Sequence, residues 1–174
     1  MTKDLILFFS RAGNNYATEG IKNIEIGNTE VIANFIRDFT NGDVFKMEPL
    51  IDYPEDYMEC TEVAQKELND NARPELKEYI EDISQYDTIY LGFPNWWNTM
   101  PMPVWTQLEK LDFRGKTIKP FVTHEGSGFG KSESDIKKLC PGAQLEKGLS
   151  IQGSFVCDAE VKVRNWVGEI CSII

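Results

Sequence analysis

Two apolar runs set narrow limits on what this chain can become. Leu5-Ile6-Leu7-Phe8-Phe9 and Thr88-Ile89-Tyr90-Leu91-Gly92-Phe93 are continuous rather than alternating. A strand with one wet face alternates apolar and polar residues, so an unbroken run belongs to a strand covered on both faces. Between these runs the period changes. Val31, Ile32, Phe35, Ile36 and Phe39 recur at helical spacing within 29–40, with Asn28 or Thr29 placed to cap the start and Gly42 placed at the end. The same alternation continues along the chain. Strands are expected at 43–47, 117–123 and 149–153, although Pro120 conflicts mildly with a strand interior. Helices are expected at 57–68, 75–83, 102–111 and 134–139. Asp158 would cap a last helix carrying Val163, Trp166, Val167 and Ile170. Strands alternating with helices from end to end imply an α/β fold, a parallel sheet with helices on both faces. No repeat or linker divides the sequence, so 1–174 is read as a single domain.

The charge of the chain narrows its partners. A formal net charge of −10 repels nucleic acid phosphates and would attract a basic partner. No stretch approaches the about 18 apolar residues of a membrane helix, and 5–9 is too short for a signal core. A cytoplasmic location is the expectation. Cys60, Cys140, Cys157 and Cys171 show neither CxxC nor zinc spacing, so free reduced thiols are expected. With His124 the sole histidine, a multi-histidine metal centre is excluded.

Three segments fall where strands end and loops begin, the rim on which open α/β sheets hold ligands. The first, Ser10-Arg11-Ala12-Gly13-Asn14, leads on to Gly27-Asn28-Thr29 at a helix start. Free N–H groups and the helix dipole there favour an anion, although Asn28 and Thr29 serve equally well as plain caps. Glu30 opposes a phosphate unless it points away. The second is Pro94-Asn95-Trp96-Trp97-Asn98-Thr99. Its paired indoles stand beyond their strand rather than at its period, which suits a flat, apolar ligand that also needs hydrogen bonds. The third, Thr123-His124-Glu125-Gly126-Ser127-Gly128-Phe129-Gly130, carries three glycines that allow backbone N–H groups to aim at an acceptor-rich edge. A packed tryptophan pair and a mobile glycine loop are the bland alternatives.

The pairing of Pro-Asn-Trp-Trp with Thr-His-Glu-Gly-Ser-Gly resembles one branch of the flavodoxin family, over essentially the whole chain. The resemblance implies a three-layer, doubly wound, five-stranded parallel sheet of order 2-1-3-4-5, for which flavodoxin is a standing example, and FMN as cofactor. It puts the phosphate at Ser10, Arg11, Ala12, Asn28 and Thr29, with Gly13 and Asn14 shaping the turn or touching it. The isoalloxazine would lie against Trp96 or Trp97, beside Pro94, Asn95 and Asn98. Thr123, His124, Glu125, Gly126, Ser127, Gly128 and Phe129 would border the ribityl chain and pyrimidine edge, and Tyr53, Pro54 and Tyr57 the other ring face. The sequence departs from the family pattern by an insert at about 15–26, which either covers the phosphate or meets a partner.

Such a protein is expected to transfer electrons through non-covalently bound FMN, to a redox partner protein or a small quinone-like acceptor. Two alternatives stand beside it: an FMN-dependent NAD(P)H:quinone-type oxidoreductase, and a flavin-less binding module on the same scaffold. His124 is the candidate catalytic residue, as proton donor to flavin or substrate; a structural histidine bonded to nearby backbone competes with that role. A hydrolase is disfavoured because Glu125 stands where a nucleophile elbow needs its first glycine.

Overall fold

The computed structural model describes residues 3–168. In chain order the elements are β1 (Asp4–Phe8), β2 (Gly13–Ala17), β3 (Gly20–Ile24), α1 (Asn28–Thr40), β4 (Asp43–Lys46), α2 (Tyr57–Asn69), β5 (Thr88–Pro94) and α3 (Met102–Leu108). They continue with β6 (Thr117–His124), α4 (Ser132–Leu139), β7 (Gln144–Leu145), β8 (Leu149–Gln152), a 3-10 helix at Gly153–Asp158 and α5 (Glu160–Gly168). The main sheet runs β4-β1-β5-β6-β7, with β8 also on β6, and all its pairs are parallel. Counting β7 and β8 as one interrupted edge strand gives the expected order 2-1-3-4-5. The sheet therefore has six strands where five were expected.

The break in that edge resolves the Pro120 conflict. Glu146 N–H donates to the Ile118 carbonyl at 2.9 Å, so Ile118 faces the β7 side. Pro120, two residues on, faces the same way, into the gap between β7 and β8 where no ladder donor is required.

Successive residues of β1 enter opposite cores, as a doubly covered strand requires. Leu5, Leu7 and Phe9 join Leu91, Phe93, Val104, Leu108 and Ile136 beneath α3 and α4. Ile6 and Phe8 join Ile32, Ile36, Tyr90, Phe121, Val163 and Trp166 beneath α1 and α5. No described helix is long and apolar enough to cross a membrane.

Two helix expectations need correction. Residues 75–83 are not helical. Backbone bonds from Leu50 N–H to Glu75 O and from Lys77 N–H to Glu48 O hold the start of this segment extended. Farther along, the fully buried Gln107 amide grips Ile80, accepting from its N–H at 3.0 Å and donating to its carbonyl at 2.9 Å. Leu76 and Ile83 still reach the core, so a helix-like apolar spacing is satisfied by an extended chain. The insert, whose structure the sequence left open, is a two-stranded antiparallel hairpin, β2–β3. Asp158 closes the 3-10 helix, and it is the Ala159 carbonyl that accepts the first bond of α5, from Val163 N–H at 2.9 Å. Ile170 and Cys171 lie outside the described residues; Cys60, Cys140 and Cys157 are free thiols.

Candidate functional site

The sheet order reverses direction at β1, which has β4 on one side and β5 on the other. The chain leaves β1, β5 and β6 at one rim, and the three loops there bond to one another. Asn95 N–H donates to Thr123 O at 2.9 Å, and its side-chain amide donates to Gly128 O at 2.7 Å. Lys131 N–H donates to Asn98 O at 2.7 Å. Gly130 (φ 56°) lies so close to the Trp turn that a β-carbon there would sit 2.2 Å from Asn98 Oδ1. Asn95 and Asn98 thus tie the second loop to the third.

Trp96 and Thr99 exchange backbone hydrogen bonds at 3.0 and 3.1 Å across a two-residue turn. Both central residues have positive φ, Trp97 at 51° and Asn98 at 72°, as in a type I′ turn. Asn tolerates that region; a bulky tryptophan does so at a cost of about 1–3 kcal/mol. The two indoles have different surroundings. Trp96 meets Phe9 and Tyr53 edge-on, with centroids at 5.2 and 5.0 Å. Trp97 remains 46% exposed, and its Nε1–H donates to Thr61 O of α2 at 2.9 Å.

At the first loop, the helix cap comes from neither Asn28 nor Thr29. Gly27 occupies the N-cap position, and Ser10 Oγ accepts from Glu30 N–H at 3.1 Å, capping α1 from outside. A β-carbon on Gly27 would meet Ser10 Oγ at 2.1 Å, so only glycine permits this approach. The Thr29 hydroxyl instead pairs with that of Thr123 at 2.8 Å, both residues buried. Glu30 forms an ion pair with Lys46 at 2.8 Å, which offsets its charge. The Arg11 guanidinium spans to the loop before α2, donating to Pro54 O and Glu55 O at 2.8 Å each and to Asn14 O.

These loops enclose a groove of about 560 Å³, lined by Asn28, Pro94, Asn95, Trp96, Thr123, His124, Glu125, Gly126 and Ser127 among the residues singled out from sequence. Tyr57, also named from sequence, lines it without Tyr53 or Pro54, and Asn15, Tyr16 and Gly153 complete it. A second arm of about 410 Å³ runs between the Trp turn and α2 and adds Arg11 and Trp97, with Met58, Cys60, Thr61 and Ala64 from α2. Ser10, Arg11 and Ala12 also border a separate 280 Å³ hollow beside Lys46 and Pro54. Ser10, Ala12, Asn14, Thr29, Asn98, Gly128 and Phe129 line neither the groove nor its arm. Phe129 packs edge-on to Phe93, and the Gly128 carbonyl is taken by Asn95.

Asn15 and Tyr16 come from the hairpin, which sequence reading left as an undefined insert. Its tip, Thr18-Glu19, lacks the Asn-Gly or Asp-Gly dipeptide that marks a two-residue turn. Thr18 donates through N–H and hydroxyl to Ser154 Oγ at 3.0 and 2.9 Å, and Ser154 lies 3.0 Å from a Glu125 carboxylate oxygen. Gln152 donates to the other oxygen at 3.2 Å. This network fixes the hairpin against the third loop and holds Glu125 as the carboxylate on the groove wall.

His124 has both ring nitrogens engaged. Nδ1 accepts from Gly126 N–H at 2.8 Å, so the proton resides on Nε2, which donates to Ser150 Oγ at 2.8 Å. Burial lowers its pKa, opposed by the Glu125 charge and reinforced by Lys162. The geometry is that of a neutral histidine that positions the glycine loop. Burial likewise raises the pKa of Tyr57 and Cys60, keeping both neutral near the groove.

The family model described as Flavodoxin matches residues 24–170. The chain belongs to the flavodoxin family. Among solved structures it is similar to a protein of Bacteroides uniformis provisionally named a flavoprotein, at 28% identity and TM-score 0.74, covering 97% of this chain and 99% of that one. A protein of Bacteroides eggerthii, named in the same way, matches at 26% identity and TM-score 0.74, with 96% of each chain covered. A flavoprotein of Lactobacillus acidophilus in complex with FMN shares the fold at 20% identity and TM-score 0.63, covering 91% of this chain and 98% of that one. No curated protein matches the sequence. As a flavodoxin, the chain has its rim groove at the sheet's topological switch point, where the fold binds its ligands.

Proposed function

We propose that this flavodoxin binds FMN non-covalently in the rim groove and carries electrons through it, to a redox partner protein or a small quinone-like acceptor. The observation that supports it most is the convergence of three interlocked loops on one groove at the switch point between β1 and β5. The residues present fit the group. The first N–H groups of α1, at Asn28 and Thr29, have no partner within the helix, and the amide of Asn28 faces the groove. Trp96 and Tyr57 supply aromatic walls. The N–H of Gly126 is taken by His124, so the Ser127 hydroxyl and backbone remain, beside the Glu125 carboxylate, as polar groups of the third loop on the groove.

FMN, when bound, accepts and donates electrons one or two at a time. The protein's part is orientation and charge. Apolar walls and the Glu125 carboxylate disfavour extra negative charge in the groove and so lower the reduction potential of what binds there. Free thiols and the net charge of −10 support a reducing, cytoplasmic setting and a basic partner.

Calorimetric titration of refolded apoprotein with FMN tests the reading. One equivalent taken up at micromolar affinity or tighter is expected; no uptake overturns it. Anaerobic mixing of the loaded protein with NADPH then separates the two redox readings, since a carrier stays yellow and an oxidoreductase bleaches.

A further inference from the structure

Behind the groove wall stands a pair of side chains that takes no part in the groove itself. The Tyr53 hydroxyl donates to a Glu67 carboxylate oxygen of α2 at 2.5 Å. The Tyr53 ring meets Trp96 edge-on, with centroids 5.0 Å apart, and Phe9 braces both, at 6.1 and 5.2 Å. Trp96 is a wall of the groove, whereas Tyr53 lines neither the groove nor its arm. Tyr53 and Glu67 open instead onto a separate hollow of about 380 Å³, bordered by Leu50, Ile51 and Val63.

Of the six tyrosines, Tyr53 is the one that has, among the described residues, both an indole against its ring and a carboxylate on its hydroxyl. Tyr86 donates to Asp43 at 2.7 Å but has no tryptophan partner among those residues. Tyr90 lies 5.5 Å from Trp166, yet the Lys119 ammonium stands over both rings, at 5.5 and 5.0 Å. A cation so placed opposes the loss of an electron from either ring. Tyr79 accepts from Leu76 N–H, and Tyr16 packs on Tyr57. Around Tyr53 the charge has the opposite sign. A phenol that loses an electron becomes a strong acid and needs a base within hydrogen-bond reach. Burial raises the Glu67 pKa, opposed by the bond from Tyr53, which makes Glu67 a better proton acceptor than an exposed carboxylate. Burial and the bond to Glu67 raise the Tyr53 pKa, so the phenol rests protonated.

We propose that Tyr53 and Glu67 form a proton-coupled redox site that draws oxidising equivalents away from the groove through Trp96. A one-electron oxidant of the radical class, arriving in the groove, removes an electron from the Trp96 indole. Tyr53 replaces that electron, and its phenolic proton passes to Glu67. A tryptophan radical cation, a phenol and a carboxylate thereby become a neutral tryptophan, a neutral tyrosyl radical and a carboxylic acid, with charge, electron and proton balanced. The hollow gives a small one-electron reductant of the ascorbate class access to the radical. The electron it supplies draws the proton back from Glu67 and restores the resting pair. These steps use side chains alone, so they go beyond the FMN reading and do not depend on what fills the groove.

The test is pulse radiolysis of the full chain, stripped of any coloured ligand, at mildly alkaline pH with the azide radical as oxidant. Transient absorption follows the indolyl band and the phenoxyl band. Wild type is expected to show indolyl decay matched by phenoxyl growth, at a rate independent of protein concentration. Tyr53→Phe and Trp96→Phe are each expected to remove that phase. Glu67→Gln keeps a hydrogen-bond acceptor at the hydroxyl but cannot take its proton, and is expected to slow the phase about tenfold or more. Tyr90→Phe is expected to leave the rate within about twofold. The proposal is overturned if wild type shows no such phase, if Tyr53→Phe or Trp96→Phe retains it, or if Glu67→Gln leaves its rate unchanged. Loss of the phase in Tyr90→Phe overturns it too, since the pair beside Lys119 would then be the electron donor. Glu67 is half-buried on α2, so its variant tests the proton step even where a substitution at Tyr53 or Trp96 prevents folding.

Discussion

The Thr29–Thr123 pair gives a sharp test of how the groove is built. The two hydroxyls lie 2.8 Å apart, with the residues 1% and 3% exposed, joining the first turn of α1 to the end of β6. Thr123→Val keeps the shape and leaves the Thr29 hydroxyl facing a methyl group. Thr29 is the second residue of its helix, so no preceding turn offers it a carbonyl. Stranding that hydroxyl should cost about 1–2 kcal/mol, and Thr29→Val should cost the same. The double variant removes both polar groups and should cost less than about 1 kcal/mol. The expected coupling, the two single costs less the double, is therefore about 1–4 kcal/mol; in a chain of this size the single-variant costs mean Tm losses of about 2–8 °C that largely recover in the double. Urea and thermal unfolding of the apoprotein supply the cycle. Additive costs within about 0.5 kcal/mol would refute the reasoning. The same proteins titrated with FMN address the roles implied by family resemblance. If the hydroxyls serve each other, the double variant binds FMN within about threefold of wild type. A stable double variant that no longer takes up FMN would show that they are ligand contacts.

Three other perturbations follow from the same geometry. Ser10→Ala removes the external cap on Glu30 N–H and should cost about 0.5–2 kcal/mol in apoprotein unfolding, with weaker FMN binding if α1 frays at the phosphate end. Gly130→Ala forces a β-carbon to 2.2 Å from Asn98 Oδ1 at a left-handed φ; a loss of about 1–3 kcal/mol is expected, visible in chemical denaturation. His124 has a depressed folded pKa, so the stability tied to its neutral form is complete above its unfolded value near 6.5 and is lost as pH falls through the folded value. Wild type should therefore lose stability between pH 7 and pH 5 relative to His124→Gln, and parallel pH profiles would count against the Gly126 contact.

Much of this fold was legible because burial writes itself into composition. Runs such as Leu5–Phe9 are readable as doubly covered strands, and both cores of the sheet bear that out. The rim segments were legible for a related reason, since residues such as Trp97 stand outside any structural period. What escaped was decided by tertiary partners. Leu76, Ile80 and Ile83 have helical spacing, yet Gln107, distant in sequence, takes the Ile80 backbone groups that a helix would have used. The hairpin was hidden because its turn lacks the usual glycine pair, and it is fixed through Thr18 and Ser154, 136 residues apart. The same limit applies to Asn28, Asn95 and Asn98. Sequence identifies them as hydrogen-bonding side chains at a rim, whereas which partner each takes is decided by the loops that meet there.

Those partner choices bear on how the groove can work. Asn95 bonds the third loop, Trp97 bonds α2, Arg11 bonds the loop before α2, and Glu125 holds the hairpin through Ser154. Each wall of the groove is thus fixed by a neighbouring wall rather than by a ligand. Ordering a loop on binding costs about 0.5–1.5 kcal/mol for each immobilised flexible side chain, and walls ordered during folding avoid that cost. The strain in Trp97 belongs to the same argument. A turn held at positive φ by hydrogen bonds between its own ends and by an indole anchored on α2 is restrained at both backbone and side chain. A cofactor that changes charge as electrons come and go gains from such a wall, because a rigid site need not reorganise between its redox states. Loosening a single tie, as at Gly130 or Asn95, should consequently disturb the groove more than the loss of one hydrogen bond to a ligand would.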